Sequence, residues 1–376
     1  MTKQKQRGHG EGSIYQRKDG RWVAQITLEG RKRLYRYGET RKEAHEKLQK
    51  ALHERKQGTL ATGPQQTFNT YLPQWLNEVH KPAIRLATYV KYRVIVNRHL
   101  LPALGHMQVQ KLTPQQVQTL YTHKLKEGLS PGSVRNIHLV LSKALDNAVL
   151  WNLVSRNVCQ LVTPPRKQKP EVRTLTREQA QKLLETARGH RIEAMLTVAL
   201  AVGMRRGELF GLKWQDIDFE QRCLHVRRTA SYFTGKGFVE SEPKTAKSRR
   251  TIMLPQFVID VLKRHREQQA EVRLQAGETW QEHDLVFSNR LGGYFAESRL
   301  YHAFHKLLKQ AGLPHMRFHD LRHSAATILL TMGAHPKIVQ ELLGHSQVGM
   351  TLDIYSHVIP SMQRDMMDKL DDMFRG

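Results

Sequence analysis

Cysteine is nearly absent: Cys159 and Cys223 are the only two in 376 residues. That excludes a disulfide framework and a zinc site built on thiolates, and it fits a reducing cytoplasm. Long apolar runs are missing too. No stretch approaches the roughly 18 to 20 residues needed to cross a bilayer, and the opening MTKQKQRGHGEG lacks the apolar core of a secretory signal. There is no Gly-rich phosphate loop ending in Lys-Ser/Thr, which argues against ATP-driven chemistry. Acidic residues are scarce relative to basic ones: 34 Asp and Glu stand against 60 Lys and Arg, a formal net charge of +26. The excess is spread along the chain instead of lying on one amphipathic helix. A nucleic acid is therefore a better partner for it than a membrane surface.

A chain of 376 residues exceeds the roughly 250 to 300 at which single cores stop growing, and its punctuation divides it into three. Ile14 to Gln16, the turn pair Asp19-Gly20, and the alternation of Trp22, Ala24, Ile26 and Leu28 with Val23, Gln25 and Thr27 predict a hairpin. A turn at Glu29-Gly30 leads into a third strand from Arg31 to Tyr37. Thr40 and Glu43 form a capping box for a helix with Ala44, Leu48, Ala51 and Leu52 on its apolar face. The third strand mixes Arg31, Lys32, Arg33 and Arg36 with Tyr35 and Tyr37, a composition suited to phosphate contacts and insertion into a DNA groove. A solvated strand face is the plainer alternative.

Gly58 to Gln66 is polar and carries Gly and Pro, as a linker does. From Thr67 to about Leu161 the period is helical, with Thr113-Pro114 and Ser130-Pro131 as cap and first-turn pairs. Thr163 to Pro170 is a basic, proline-rich connector that cannot continue a helix. A capping box at Thr176 and Gln179 then opens a third region of helices, with short strands around Leu224 to Arg228. The expected domains are 1–60, 65–162 and 171–376. The expected fold class is a multidomain α+β chain: a small three-stranded sheet plus helix, a helical bundle, and a mostly helical domain with a small antiparallel sheet.

The last region holds the chemistry. Cutting a phosphodiester without a metal needs a nucleophile, cations for the nonbridging oxygens, a base for the nucleophile and an acid for the leaving oxygen. The sequence supplies Gly203-Met-Arg205-Arg-Gly-Glu208, then Pro243-Lys244-Thr, then His319-Asp-Leu-Arg322, then Leu343-Gly-His345, and last Tyr355-Ser-His357. Each alone is compatible with a surface charge, a helix-end hydrogen bonder or a core aromatic. Their joint occurrence in this order resembles the tyrosine recombinase (phage integrase) family over essentially the whole chain. Two departures are small: Val202 stands where Thr is common, and His345 to Tyr355 spans one residue more than in many relatives.

The resemblance implies a site-specific DNA recombinase that cuts and rejoins strands through a 3′-phosphotyrosyl bond to Tyr355, without metal, cofactor or ATP. Arg205 and Arg322 resemble the family's paired arginines, whose planar guanidiniums grip phosphate oxygens. His319 is the candidate base or proton relay, Lys244 the candidate acid and His345 a phosphate hydrogen bonder. Glu208 and His357 have supporting places. The front module is similar to arm-site binding domains of lambda-type and conjugative-transposon integrases, which assigns Arg31, Lys32, Arg33, Tyr35 and Arg36 to DNA. The helical module resembles their core-site binding domain. The partners implied are double-stranded DNA attachment sites with core and arm sequences, a homotetramer on DNA, a host bending protein and an excision factor.

Three rivals use parts of the same set. A relaxing topoisomerase would not need the separate front module. A DNA-binding regulator would not need Arg205, Lys244, His319, Arg322 and Tyr355 together. A metal nuclease using His319 and His323 lacks an accompanying carboxylate cluster. Finally, Met362, Met366, Leu370 and Met373 or Phe374 form a one-sided apolar stripe after Pro360. It predicts a short amphipathic tail helix for a groove on a neighbouring copy or on its own domain.

Overall fold

A computed structural model describes residues 12–27, 33–56, 60, 62–166, 173–243, 249–344, 367–368 and 370–374. Contacts divide the chain into two compact units, Met1–Lys169 and Pro170–Gly376.

The first unit opens with an antiparallel sheet in the order β1 (Ser13–Gln16), β2 (Trp22–Thr27), β3 (Arg33–Gly38). The β1–β2 turn needs Gly20, which sits at φ +83°. Helix α1 (Arg41–Lys56) buries Ala44, Leu48 and Ala51 against Ala24 and Ile26, as the alternation predicts. Thr40 Oγ1 accepts the Glu43 N–H at 3.2 Å, but the Glu43 carboxylate returns to the Glu39 N–H at 2.9 Å, one residue earlier than in a strict capping box. Arg31, Lys32 and Leu28 lie outside the described residues.

The helical part of this unit comprises α2 (Phe68–Gln74), α3 (Lys81–Ala83), α4 (Leu86–Ile95), α5 (Leu101–Leu104), α6 (Pro114–Lys126) and α7 (Pro131–Leu150). Two wider π-helical turns, Trp75–His80 and Val96–Leu100, interrupt it. The first follows Pro73, whose missing N–H and ring break the α-helical ladder. The core of this part sets Phe68, Tyr71 and Trp75, all fully buried, among leucine, isoleucine and valine side chains, and burying one large apolar side chain stabilises by about 1.5–3 kcal/mol. The polar ends of two of them are satisfied. The Tyr71 hydroxyl donates to Ala144 O, and Trp75 Nε1 donates to Asn147 Oδ1 at 2.9 Å.

The second unit contains α8 (Arg177–Thr186), α9 (Glu193–Val202), α10 (Arg206–Phe210), α11 (Gln256–Ala276), α12 (Glu297–Gln310), α13 (Asp320–Thr331) and α14 (Pro336–Leu343). The capping box at Thr176 and Gln179 is present with both hydrogen bonds. Its strands form two separate antiparallel pieces. One is a sheet of β4 (Ile217–Asp218), β5 (Cys223–Val226) and β8 (Arg250–Met253), and the other a hairpin of β6 (Thr229–Phe233) and β7 (Gly237–Ser241). Helix α9 is buried almost all round and forms the axis of the unit's core. The architecture is the expected mixture of helices with small antiparallel sheets.

Candidate active site

Helix α9 ends on Gly203 at φ +63°. A Cβ there would lie 2.3 Å from Leu343 Cδ2, so both the backbone angle and the space demand glycine. The chain then turns through buried Met204 and presents Arg205 at the entry to α10. Glu208 closes the turn. Its Oε2 accepts the Arg205 N–H at 2.9 Å and its Oε1 accepts Arg205 Nη1 at 2.8 Å. The Arg205 side chain is still 34% exposed, while Glu208 is 1% exposed.

Arg322, in the first turn of α13, is buried. Its Nη1 donates to Gly203 O and its Nη2 to Leu343 O, each at 2.6 Å. Burial, and then the positive charge of Arg205, push its pKa down to about 9, which leaves it a cation at neutral pH. A third guanidinium, not singled out from the sequence, completes the cluster. Arg250 on β8 donates through Nη1 and Nη2 to both Glu208 oxygens, at 3.1 and 2.9 Å. Burial pushes the Glu208 carboxyl up, but Arg250 and Arg205 outweigh it and hold the group below the usual carboxylate range. Two guanidiniums thus share one carboxylate with Arg322 beside them, and the excess positive charge faces solvent at Arg205. Such a site favours an anion with several acceptor oxygens, as a phosphodiester has.

His319 stands just before α13, where Asp320 fixes the turn by accepting the Arg317 N–H at 3.0 Å and Arg317 Nη2 at 2.7 Å. With Arg205, Arg206, Gly207 and Tyr301 it lines a pocket of about 260 Å³. Burial, then His323 and Arg322, push its pKa down to about 4, so the ring is neutral at pH 7 and able to accept a proton. His323 is 5.5 Å away, its ring perpendicular to that of His319.

The neutral state has a measurable consequence. The unfolded chain takes up this proton near pH 6.5 and the folded chain only near about 4, so His319's stability contribution is whole above pH 6.5 and is lost as pH falls through that window. His319→Asn should therefore show a shallower acid decline of its denaturation midpoint than the wild type. It should also slow strand cleavage by a factor that stays constant between about pH 6 and 8, where an ordinary histidine would titrate. A factor that shrinks on acidification would show that His319 titrates in that range.

The structure therefore brings Arg205, Glu208, His319 and Arg322 together. Lys244, His345, Tyr355 and His357 lie outside the described residues. Arg250 was missed, although the strand pattern held a signal for it. Period-two alternation puts it on the same face as Ile252, which is buried, so it points inward and needs a carboxylate.

On the N-terminal sheet, β3 places Arg33, Tyr35 and Tyr37 on the face away from α1, beside Tyr15 of β1, which shares a row with Val23 and Tyr37. Tyr15, Tyr35 and Tyr37 are exposed, and the Arg17 guanidinium lies 6.0 Å from the Tyr37 ring centre. Arg36 does not join them. It is opposite Ala24 in register, on the face backed by α1.

Residues 173–362 match the model of the phage integrase family, and residues 67–125 match the phage integrase N-terminal SAM-like domain. A tyrosine recombinase XerC-like protein from Caldanaerobacter subterraneus subsp. tengcongensis is 34% identical over 356 residues, covering 90% of this chain and 91% of its own. Among solved structures, the Tn1549 transposon integrase in complex with transposon right end DNA superposes with a TM-score of 0.67 at 22% identity, over 81% of this chain and 99% of that one. A lambda integrase tetramer bound to a Holliday junction gives 0.58 at 17% identity, over 93% and 96%. The chain belongs to the phage integrase family of tyrosine recombinases. It is accordingly an enzyme of site-specific DNA recombination.

Proposed function

We propose that the nucleophile is Tyr355, whose phenol oxygen attacks a DNA phosphorus, forming a 3′-phosphotyrosyl bond as the bond to the 5′ oxygen breaks. Arg205 and Arg322 neutralise the nonbridging oxygens of the transition state, and His345 adds a hydrogen bond to them. His319 receives the phenol proton, and Lys244 protonates the departing 5′ oxygen. Glu208 braces Arg205, and His357 supports the nucleophile's surroundings. A second 5′-hydroxyl then attacks the phosphotyrosine and reverses the chemistry, so the outcome is strand exchange instead of hydrolysis. The observation that carries this reading is the guanidinium cluster, Arg205 and Arg250 on one carboxylate with Arg322 beside them and Arg205 open to solvent.

The chain integrates or excises a mobile element by acting on double-stranded attachment sites in the cytoplasm of a bacterial host, in association with the nucleoid. Residues 1–60 bind arm sequences, 65–162 bind core sequences and 171–376 carry out catalysis. A host bending protein and an excision factor assist. The open face of the N-terminal sheet supports the arm assignment for Arg33 and Tyr35, and adds Tyr15, Tyr37 and Arg17 to it. Arg31 and Lys32 keep their assignment from the sequence. The first 60 residues hold 16 Lys and Arg against 7 Asp and Glu. A protein starting near Gln65 should still cleave core DNA but fail in integration that requires arm sites. Loss of core binding in that truncation, with residues 1–60 binding no DNA, would overturn the division.

The working assembly is a homotetramer on DNA, in which the tail of one protomer docks on the next. The exposed Met367, Leu370, Met373 and Phe374 support this, as does the tetramer of the lambda integrase structure. Deleting residues 361–376 should impair tetramer formation on core-site DNA, read by mass photometry, more than single-site binding. Normal tetramers with a merely lower melting temperature would make the tail an intramolecular brace.

A further inference from the structure

Every late carbonyl of α14 has a partner, and the partners are unusual. The last turn of a helix leaves its carbonyls without intrahelical donors. Here Gly344 N–H serves Gln340 O and Glu341 O. The next three carbonyls are each taken by a different arginine from a different segment. Arg250 Nε donates to Leu342 O, Arg322 Nη2 to Leu343 O and Arg205 Nη2 to Gly344 O, all at 2.6 Å. The negative end of the helix dipole and the carboxylate of Glu208 hold the three cations side by side.

The three arginines are not equivalent. Arg205 keeps an exposed edge, and Arg322 spends two N–H groups on carbonyls out of the five that a guanidinium offers. Arg250 is only 7% exposed, and its fork is turned inward on Glu208 and Leu342. It also packs over the helix end: a Cβ on Gly344 would meet Arg250 Nη1 at 3.0 Å and Cδ at 3.2 Å. Arg250 therefore touches the brace of one proposed phosphate-binding arginine and the helix end that leads into His345, with its own side chain nearly closed to solvent.

We infer that Arg250 is a positioning residue for strand cleavage, locking Glu208 and the end of α14 so that Arg205 and Arg322 present their free N–H groups to one phosphate. The inference rests on the proposed roles of those two arginines. With Arg250 gone, Glu208 has both oxygens available to Arg205 and draws it into a bidentate pair, and Leu342 O loses its donor. Arg205 then reaches the phosphate only by breaking that pair. The lost quantity is pre-organisation of a transition-state donor, so the effect falls on the cleavage rate at saturation and not on DNA affinity. A lysine restores the charge but cannot span Glu208 and Leu342 O with a planar fork.

The test is single-turnover cleavage of a nicked core-site DNA by the full chain, with rate and half-saturating protein concentration measured separately. Arg250→Met should lower the saturating rate by about 100-fold, the scale of losing one aligned donor, with half-saturation within about twofold of wild type. Arg250→Lys should recover part of that rate. Should Arg250→Met fail to fold by circular dichroism, Arg250→Lys decides alone, with a reduced saturating rate still expected. A folded variant that cleaves at the wild-type rate, or one whose defect lies wholly in half-saturation, would overturn the inference. Arg205→Ala and Arg322→Ala in the same assay separate the two failures. If they cleave normally, the phosphate-site reading is wrong. If they are inactive while the Arg250 variants are normal, only the positioning role falls.

Discussion

Tyr355→Phe is expected to abolish strand cleavage while DNA affinity stays close to wild type. The substitution removes one oxygen and keeps the ring. Affinity in a chain with 60 Lys and Arg comes mainly from phosphate contacts made elsewhere. A tyrosine phenol ordinarily titrates near ~10, so the proposed nucleophile needs a proton acceptor as it attacks, the part proposed for neutral His319. The check is a denaturing gel of protein incubated with nicked core-site DNA in the presence of EDTA. Wild type should leave a covalent protein–DNA band and Tyr355→Phe none. A band of undiminished intensity from the variant would mean that another residue is the nucleophile.

Arg205→Ala should cost about 10²- to 10³-fold in cleavage rate, the loss seen when one transition-state donor is removed. The fold should tolerate it. Arg205 is the most exposed of the three clustered arginines, and Glu208 keeps both hydrogen bonds from Arg250. Arg205→Lys should recover only part of the rate, because an ammonium cannot contact Glu208, Gly344 O and a phosphate with one planar group. Single-turnover rates with matched melting temperatures would check both. A rate within twofold of wild type for folded Arg205→Ala would remove Arg205 from the site.

The parts legible in the sequence were those set by local chemistry. The N-terminal strands followed from Asp19-Gly20 and the alternation after Trp22, and α1 from its capping residues and the spacing of Ala44, Leu48 and Ala51. Thr176 and Gln179 marked the start of α8 for the same reason. Arg205, Glu208, His319 and Arg322 were found because their motifs are short and ordered. The π-helical turns were not legible, since the period of apolar residues does not distinguish them from an α-helix, and Pro73 alone does not set the width of the next turn. Arg36 was grouped with its basic neighbours by composition, while register decides which face a strand residue takes. Arg250 escaped because its partners, Glu208 and Leu342 O, are 42 and 92 residues away in the chain.

The contacts that α14 makes with the three arginines all run through main-chain oxygens. Such a grip does not depend on which side chain position 342 carries, whereas Leu343 is also fully buried, with its side chain against Gly203. The glycines are different: Gly203 and Gly344 hold left-handed angles, with Leu343 and Arg250 pressed against the places a Cβ would occupy. A library of substitutions across 203 and 342–344, selected for recombination, should therefore return varied apolar residues at 342, residues close to leucine in size at 343 and almost only glycine at 203 and 344. The tolerance of this site to sequence drift is set by its backbone.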